Sequence, residues 1–175
     1  MSEQKHKDVW SGKYRGIAYE VVQWEGRRGP IWNYYLYVHA KQIPTEHLSR
    51  FDIPAGLPDE RGRRYYPYSS EGVFARLDWH CGITYYSKMA DPGLDHLVFK
   101  AGCDYDHYWD EDCDYSMPYV LQDAKATIDD LWEHAPYLMA WCHGCGKYEA
   151  PGEAGFNEEG TIACKDCLAK VEVQS

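Results

Sequence analysis

Between residues 14 and 24 apolar and polar side chains alternate, and Ile17, Tyr19 and Val21 fall on one face of a run rich in β-formers. That is the pattern of a strand with one buried side. Gly26, Gly29 and Pro30 interrupt it, which predicts a hairpin loop. Alternation then resumes, with Trp32, Tyr34, Leu36 and Val38 on one face of a second strand. From 41 to 70 the pattern is lost; Pro44, Pro54, Pro58 and Pro67 punctuate an irregular stretch in which residues 46–51 suit one helical turn. A third strand is expected over 72–80, with Val73, Ala75, Leu77 and Trp79 on its apolar face. A fourth follows over 95–103, after a turn at 90–93. Residues 1–12 carry no such pattern and read as a loose leader.

The period changes after residue 116. Leu121, Ala124, Ile128, Leu131, Trp132 and Ala135 recur at helical spacing. Ser116 is placed to cap the N-terminus, Pro118 is tolerated in the first turn, and Pro136 stops the helix. Several strands followed by one amphipathic helix predict an α+β fold, an antiparallel sheet with the main helix packed on it. No internal repeat and no low-complexity tract is visible.

The tail has a different character. Cys142, Cys145, Cys164 and Cys167 form two Cys-x-x-Cys pairs. Each pair makes a tight knuckle aimed at one ion, and two knuckles complete a closed tetrahedron, so the spacing predicts one structural Zn2+ per chain. Gly144 and Gly146 suit left-handed positions in the knuckle. The expected organisation is a body over 1–136 and a zinc-ribbon-like or treble-clef-like module over 137–175. The second alternative draws on the helix-compatible run that begins at Cys167. A segment this short lacks a core large enough to fold unaided.

Charge narrows the function classes. The formal net charge is −10, with Arg27, Arg28, Arg61, Arg63 and Arg64 confined to Gly/Pro-marked loops. Specific nucleic-acid binding needs a basic face and is not expected. No run approaches the roughly 20 apolar residues of a membrane span. The polar N-terminus lacks a signal-peptide core, so a cytoplasmic protein is expected. Seven cysteines, an odd number, disfavour a closed disulfide set. Sixteen Tyr and seven Trp are an unusual number; most of these rings are expected at core or half-buried sheet positions, with a minority available to line a cleft.

A second polar constellation lies in the body. Between Cys103 and Asp114 six carboxylates surround His107. Asp110, Asp112 and Asp114 imitate the start of a calcium loop, but Tyr115 stands where Gly is needed and Leu121 where the bidentate Glu belongs. Glu111, Asp112 and Asp114 are therefore read as a solvated loop before the helix. His80, Gly82, Ile83, Thr84 and Tyr85, followed by Gly102, Asp104, His107 and Asp110, resemble a pattern of small uncharacterised proteins of tailed bacteriophages. In that pattern His-Gly-Gly-aliphatic-Thr-aromatic precedes Gly-aromatic-Asp-Cys-x-His-x-x-Asp and a helix. This chain departs from it at Cys81, where the pattern has Gly, and at Tyr105, where it has Cys. The resemblance implies a phage origin, a shared fold over residues 14–135 and action in the host cytoplasm; it implies no reaction.

His80, Thr84, Asp104, His107 and Asp110 are the candidate ligand-binding residues. Imidazole and carboxylate together suit a divalent cation or an acid–base pair, and equally a buried hydrogen-bond network. The expected function is an accessory phage protein that binds a host protein or a small molecule. A metal-dependent enzyme acting on a nucleotide or small molecule through His80, Asp104, His107 and Asp110 is the alternative. A nucleic-acid-binding zinc protein is weaker, because the tail between the cysteine pairs is acidic.

Overall fold

The computed structural model describes residues 7–26, 29–53, 72–90, 97–107, 110 and 113–173. The basic loops at 27–28 and 61–64, most of the turn at 90–93, Trp109 and the acids at 111–112 lie outside them.

The fold is α+β. Strands β1 (Lys7–Tyr14), β2 (Ile17–Glu25), β3 (Pro30–His39), β4 (Tyr85–Ala90) and β5 (Leu97–Asp104) form one antiparallel sheet in the order β1-β2-β3-β5-β4. Alternation places Trp32, Tyr34, Leu36 and Val38 on the inner face, all buried. Ile17 and Val21 of β2 and Phe99, Ala101 and Cys103 of β5 share that face. Helix α1 (Met117–His134) lies across it, burying Val120, Ala124, Thr127, Ile128, Leu131 and Trp132. Tyr34 and Thr127 bond through their hydroxyls at 2.8 Å, which pins the helix to the central strand. A second part of the core gathers Phe51, Phe74 and Phe99, all fully buried. Burial of each such ring contributes about 1.5–3 kcal/mol.

Two elements differ from the expectation. Residues 7–14 are a strand rather than a loose leader: each pairs with β2, from Lys7 opposite Trp24 to Tyr14 opposite Ile17. Trp10 stacks on Trp32 with ring centroids 5.6 Å apart. An edge strand with one ladder and little burial carries a weak pattern, so the hairpin partner decides it. Residues 72–80 are not a strand. Phe74–Arg76 is a 3-10 helix, although Val73, Leu77 and Trp79 are buried as foreseen. Its backbone bonds within the segment, to the Arg50 carbonyl and, at Asp78, to helix α1, not to a neighbouring strand. Asp78 N–H donates to Asp130 Oδ2 at 2.8 Å, and Thr127 Oγ1 donates to the Asp78 carbonyl at 3.1 Å. The fifth sheet strand, β4, comes from 85–90 instead. The turn foreseen at 46–51 is a 3-10 helix over Thr45–Phe51.

Past Pro136, strands β6 (Ala140–Cys142), β7 (Tyr148–Glu149), β8 (Pro151–Phe156) and β9 (Thr161–Cys164) make a second sheet, followed by α2 (Lys165–Glu172). Leu138, Ala140 and Ile162 belong to the same buried cluster as the main core. The β1–β2 turn ties the two sheets together. Arg15 N–H donates to the Glu158 carbonyl at 3.1 Å, and the Arg15 guanidinium lies 4.3 Å over the Phe156 ring. Gly16 and Gly160 meet backbone to backbone: a Cβ on Gly160 would stand 2.0 Å from Gly16 Cα. No described helix is long and apolar enough to cross a membrane.

Candidate functional site

Three places concentrate chemistry. At the first, β6 runs into the knuckle that carries Cys142 and Cys145. Cys164 caps the N-terminus of α2, and Cys167 sits in its first turn. The four Sγ atoms lie within 4.8 Å of one another and can hold a metal ion. A tetrathiolate with metal–sulfur bonds of about 2.3 Å has sulfurs about 3.8 Å apart, so the donor set fits with little movement. Among the described residues these four form the one group of metal-capable side chains.

Backbone amides prepare the site. Cys164 N–H donates to Cys142 Sγ at 3.2 Å. That bond, with others from Cys145 and Gly144 and against the burial of the thiol, pulls Cys142 down to about 6. Cys167, hydrogen-bonded to the Cys164 thiol and desolvated, is pushed up to about 12. Sulfurs this close resist shared negative charge, and a divalent cation removes that conflict. Gly146 has the left-handed φ of +69° foreseen for the knuckle. Gly144 is needed for another reason: a Cβ there would come within 3.0 Å of Cys167 Sγ.

The second place is the loop region singled out from the sequence. His80 Nε2 and Asp110 Oδ1 are 3.0 Å apart. Tyr115 O–H donates to the same oxygen at 2.8 Å, and His107 N–H donates to Asp110 Oδ2 at 3.0 Å. Asp110 is 6% exposed. Burial would raise its pKa; the bonds from His107, Tyr115 and His80 overcome this and hold it below the ordinary value. The His80 ring stacks flat on Tyr105, centroids 3.9 Å apart. His107 Nε2 reaches Asp104 Oδ1 at 3.7 Å. Thr84 joins through its backbone, N–H to the Gly102 carbonyl at 3.0 Å. The structure thus brings His80 and Asp110 into direct contact and leaves Asp104 with His107 beside them. Both Asp110 oxygens are occupied in holding the loop.

The motif positions also have backbone reasons. Cys81 has φ +56° and Gly82 φ +97°, so the chain turns through two left-handed residues directly after His80. A Cβ on Gly102 would stand 2.4 Å from the Tyr34 carbonyl oxygen.

The third place is invisible in the sequence. On the sheet face opposite α1 a concavity of about 640 Å³ is lined by residues that include Lys13, Ala18, Tyr37, His39, Met89 and Val98. Strand register puts Ala18 beside Tyr37 and Tyr37 beside Lys100. Next to the concavity, Tyr37 O–H donates to Glu20, and Lys100 lies 3.6 Å from the Glu20 carboxylate. The Lys100 ammonium stands 4.1 Å over the Tyr35 ring and 4.8 Å over that of Tyr37. Alternation announces which side chains point outward. Only pairing across β1, β2, β3 and β5 assembles them.

Comparison of the chain with models of protein families, with curated proteins and with solved structures finds no match.

Proposed function

We propose that this is a binding protein stapled by one structural zinc, and that it acts through the outer face of its five-stranded sheet. The observation that carries this is the contrast between its two best-formed sites. Four cysteines use every position of a tetrahedral ion, leaving none for water or substrate. The 640 Å³ concavity is open and mixes apolar Ala18, Met89 and Val98 with polar Lys13, Glu20 and His39, within the roughly 300–1,000 Å³ range of ligand sites. Its partner is a host protein or a small molecule that seats apolar groups against Ala18, Tyr37 and Val98. The phage setting rests on the motif resemblance; the left-handed Cys81, standing where the pattern has Gly, supports it. Of the two modules the tail resembles, the order knuckle, hairpin, helix favours the treble clef. The His80–Asp110 network serves in this account as a clasp between two loops rather than as an enzyme centre.

The test combines native mass spectrometry with a host assay. The intact protein should carry one zinc per chain, and Cys142→Ser should lose it. Ala18→Trp fills the concavity from a partly exposed position; it should keep zinc and fold yet lose the effect of the parent on bacterial or phage growth. A zinc-loaded Ala18→Trp that acts like the parent would refute the assignment of the binding face.

A further inference from the structure

The five-stranded sheet ends on β1, and among the described residues no strand other than β2 pairs with it. We propose that this edge is the seam of a homodimer, in which β1 of one copy pairs antiparallel with β1 of a second copy about a two-fold axis through Ser11.

The hairpin decides which backbone groups of β1 face outward. Arg15 and Gly16, with φ of +47° and +77°, form its two-residue turn, so Tyr14 and Ile17 are a hydrogen-bonded pair. Bonding alternates from there. Asp8, Trp10, Gly12 and Tyr14 bond to β2, and Lys7, Val9, Ser11 and Lys13 turn their N–H and C=O groups to the open edge. Such a row is a template for another strand. It also restricts self-pairing, because an outward position must meet an outward position. An axis at Ser11 sets Val9 opposite the partner's Lys13, Trp10 opposite the partner's Gly12 and Asp8 opposite the partner's Tyr14. An axis at Trp10 would set Lys7 against the partner's Lys13, a like-charge pair that destabilises. An axis at Val9 would leave Gly12 and Lys13 unpaired.

The side chains favour the Ser11 axis, and with it a second copy as the occupant. Trp10 stacks on Trp32 yet stays 36% exposed on this edge strand. The position it meets, the partner's Gly12, has no side chain. Tyr19 leans over that glycine: a Cβ there would stand 2.5 Å from the Tyr19 hydroxyl oxygen. Indole and phenol rings therefore come together on both sides of the axis and cover apolar surface that each copy alone leaves in water. Asp8 arrives opposite the partner's Tyr14. The Lys125 ammonium stands 5.1 Å over the Tyr14 ring, so an acid of one copy approaches a cation of the other. On the other face of the sheet Val9, 44% exposed, meets the aliphatic stem of the partner's Lys13. That face also carries the concavity, lined in part by Ser11 and Lys13, so the dimer sets two concavities side by side.

Sedimentation velocity and native mass spectrometry of the intact zinc-loaded chain, over a concentration series, test the proposal. A monomer–dimer equilibrium is expected. Ser11→Pro removes an N–H that faces the seam and none that bonds to β2, so it should weaken dimerisation by roughly ten-fold or more while zinc content and the circular dichroism spectrum stay parental. The exposed Val9 supplies a second measurement that does not depend on a proline being accepted. Val9→Glu, opposite the partner's Lys13, should tighten the dimer, and Val9→Lys should weaken it, each by roughly five-fold; adding Lys13→Glu should reverse both effects. A chain that stays monomeric at millimolar concentration, a dimer of parental affinity in folded Ser11→Pro, or Val9 charge variants of equal effect would each overturn the proposal.

Discussion

Replacing Gly160 by alanine isolates the contact between the two sheets. Gly160 has φ +75°, a conformation that costs an L-residue about 1–2 kcal/mol. Its new Cβ would stand 2.0 Å from Gly16 Cα and 2.2 Å from Gly16 N, and both obstacles are backbone. Carbon atoms settle at about 3.5–4.0 Å, so the β1–β2 turn must retreat by more than 1 Å, on the order of a bond length. Three hydrogen bonds depend on that turn: Arg15 N–H to Glu158 at 3.1 Å, Gln42 Nε2 to the Gly16 carbonyl at 3.0 Å, and Trp132 Nε1 to the Arg15 carbonyl at 3.1 Å. At about 1 kcal/mol each, loss of two or three of them brings the total to about 3–5 kcal/mol. Gly155→Ala is the control. Gly155 also has positive φ, +68°, but a Cβ there meets nothing within 4 Å, so only the conformational cost of about 1–2 kcal/mol applies. Urea unfolding followed by tryptophan fluorescence compares the two, with Trp132 reporting on its contact with Phe156 at 4.7 Å. Metal content should stay at the parental level in both, because neither change touches a cysteine. If Gly160→Ala is no more destabilising than Gly155→Ala, the sheets are not joined through this glycine pair.

Two further outcomes follow from the loop clasp. Asp110→Asn should cost about 2–3 kcal/mol, since it weakens bonds from His80, Tyr115 and the His107 amide at a buried site. The Asp110 carboxyl is held below its ordinary 3.8, so its contribution is complete above that pH and is lost as pH falls further. Parent and Asp110→Asn stabilities, measured by urea unfolding from neutral pH downward, should converge in that acid range, and parallel curves would contradict this. Cys81→Gly should raise stability by about 0.5 kcal/mol by relieving a φ of +56°, as read from the urea midpoint, whereas Cys81→Ala should bring no gain.

Much of this protein is local chemistry and could be read from the chain. The alternation at Trp32, Tyr34, Leu36 and Val38 fixes which side of β3 faces inward, because a strand has a period of two wherever it lies. The helical period from Val120 to Trp132 and the stop at Pro136 are equally local. So is the four-cysteine cluster, since each knuckle is closed within four residues and the two need only one approach. What the sequence could not decide depends on partners distant along the chain. Residues 7–14 are a strand because β2 pairs with them, and 72–80 is not one because its backbone bonds to the Arg50 carbonyl, to its own turns and, at Asp78, to Asp130 and Thr127 of α1. His80 and Asp110, thirty positions apart, were legible as candidates, but that both Asp110 oxygens would be spent on the loop was not. The concavity over Ala18, Tyr37 and Val98 has no signature at all. It joins residues from three separate strands, and only the register of the sheet brings them together.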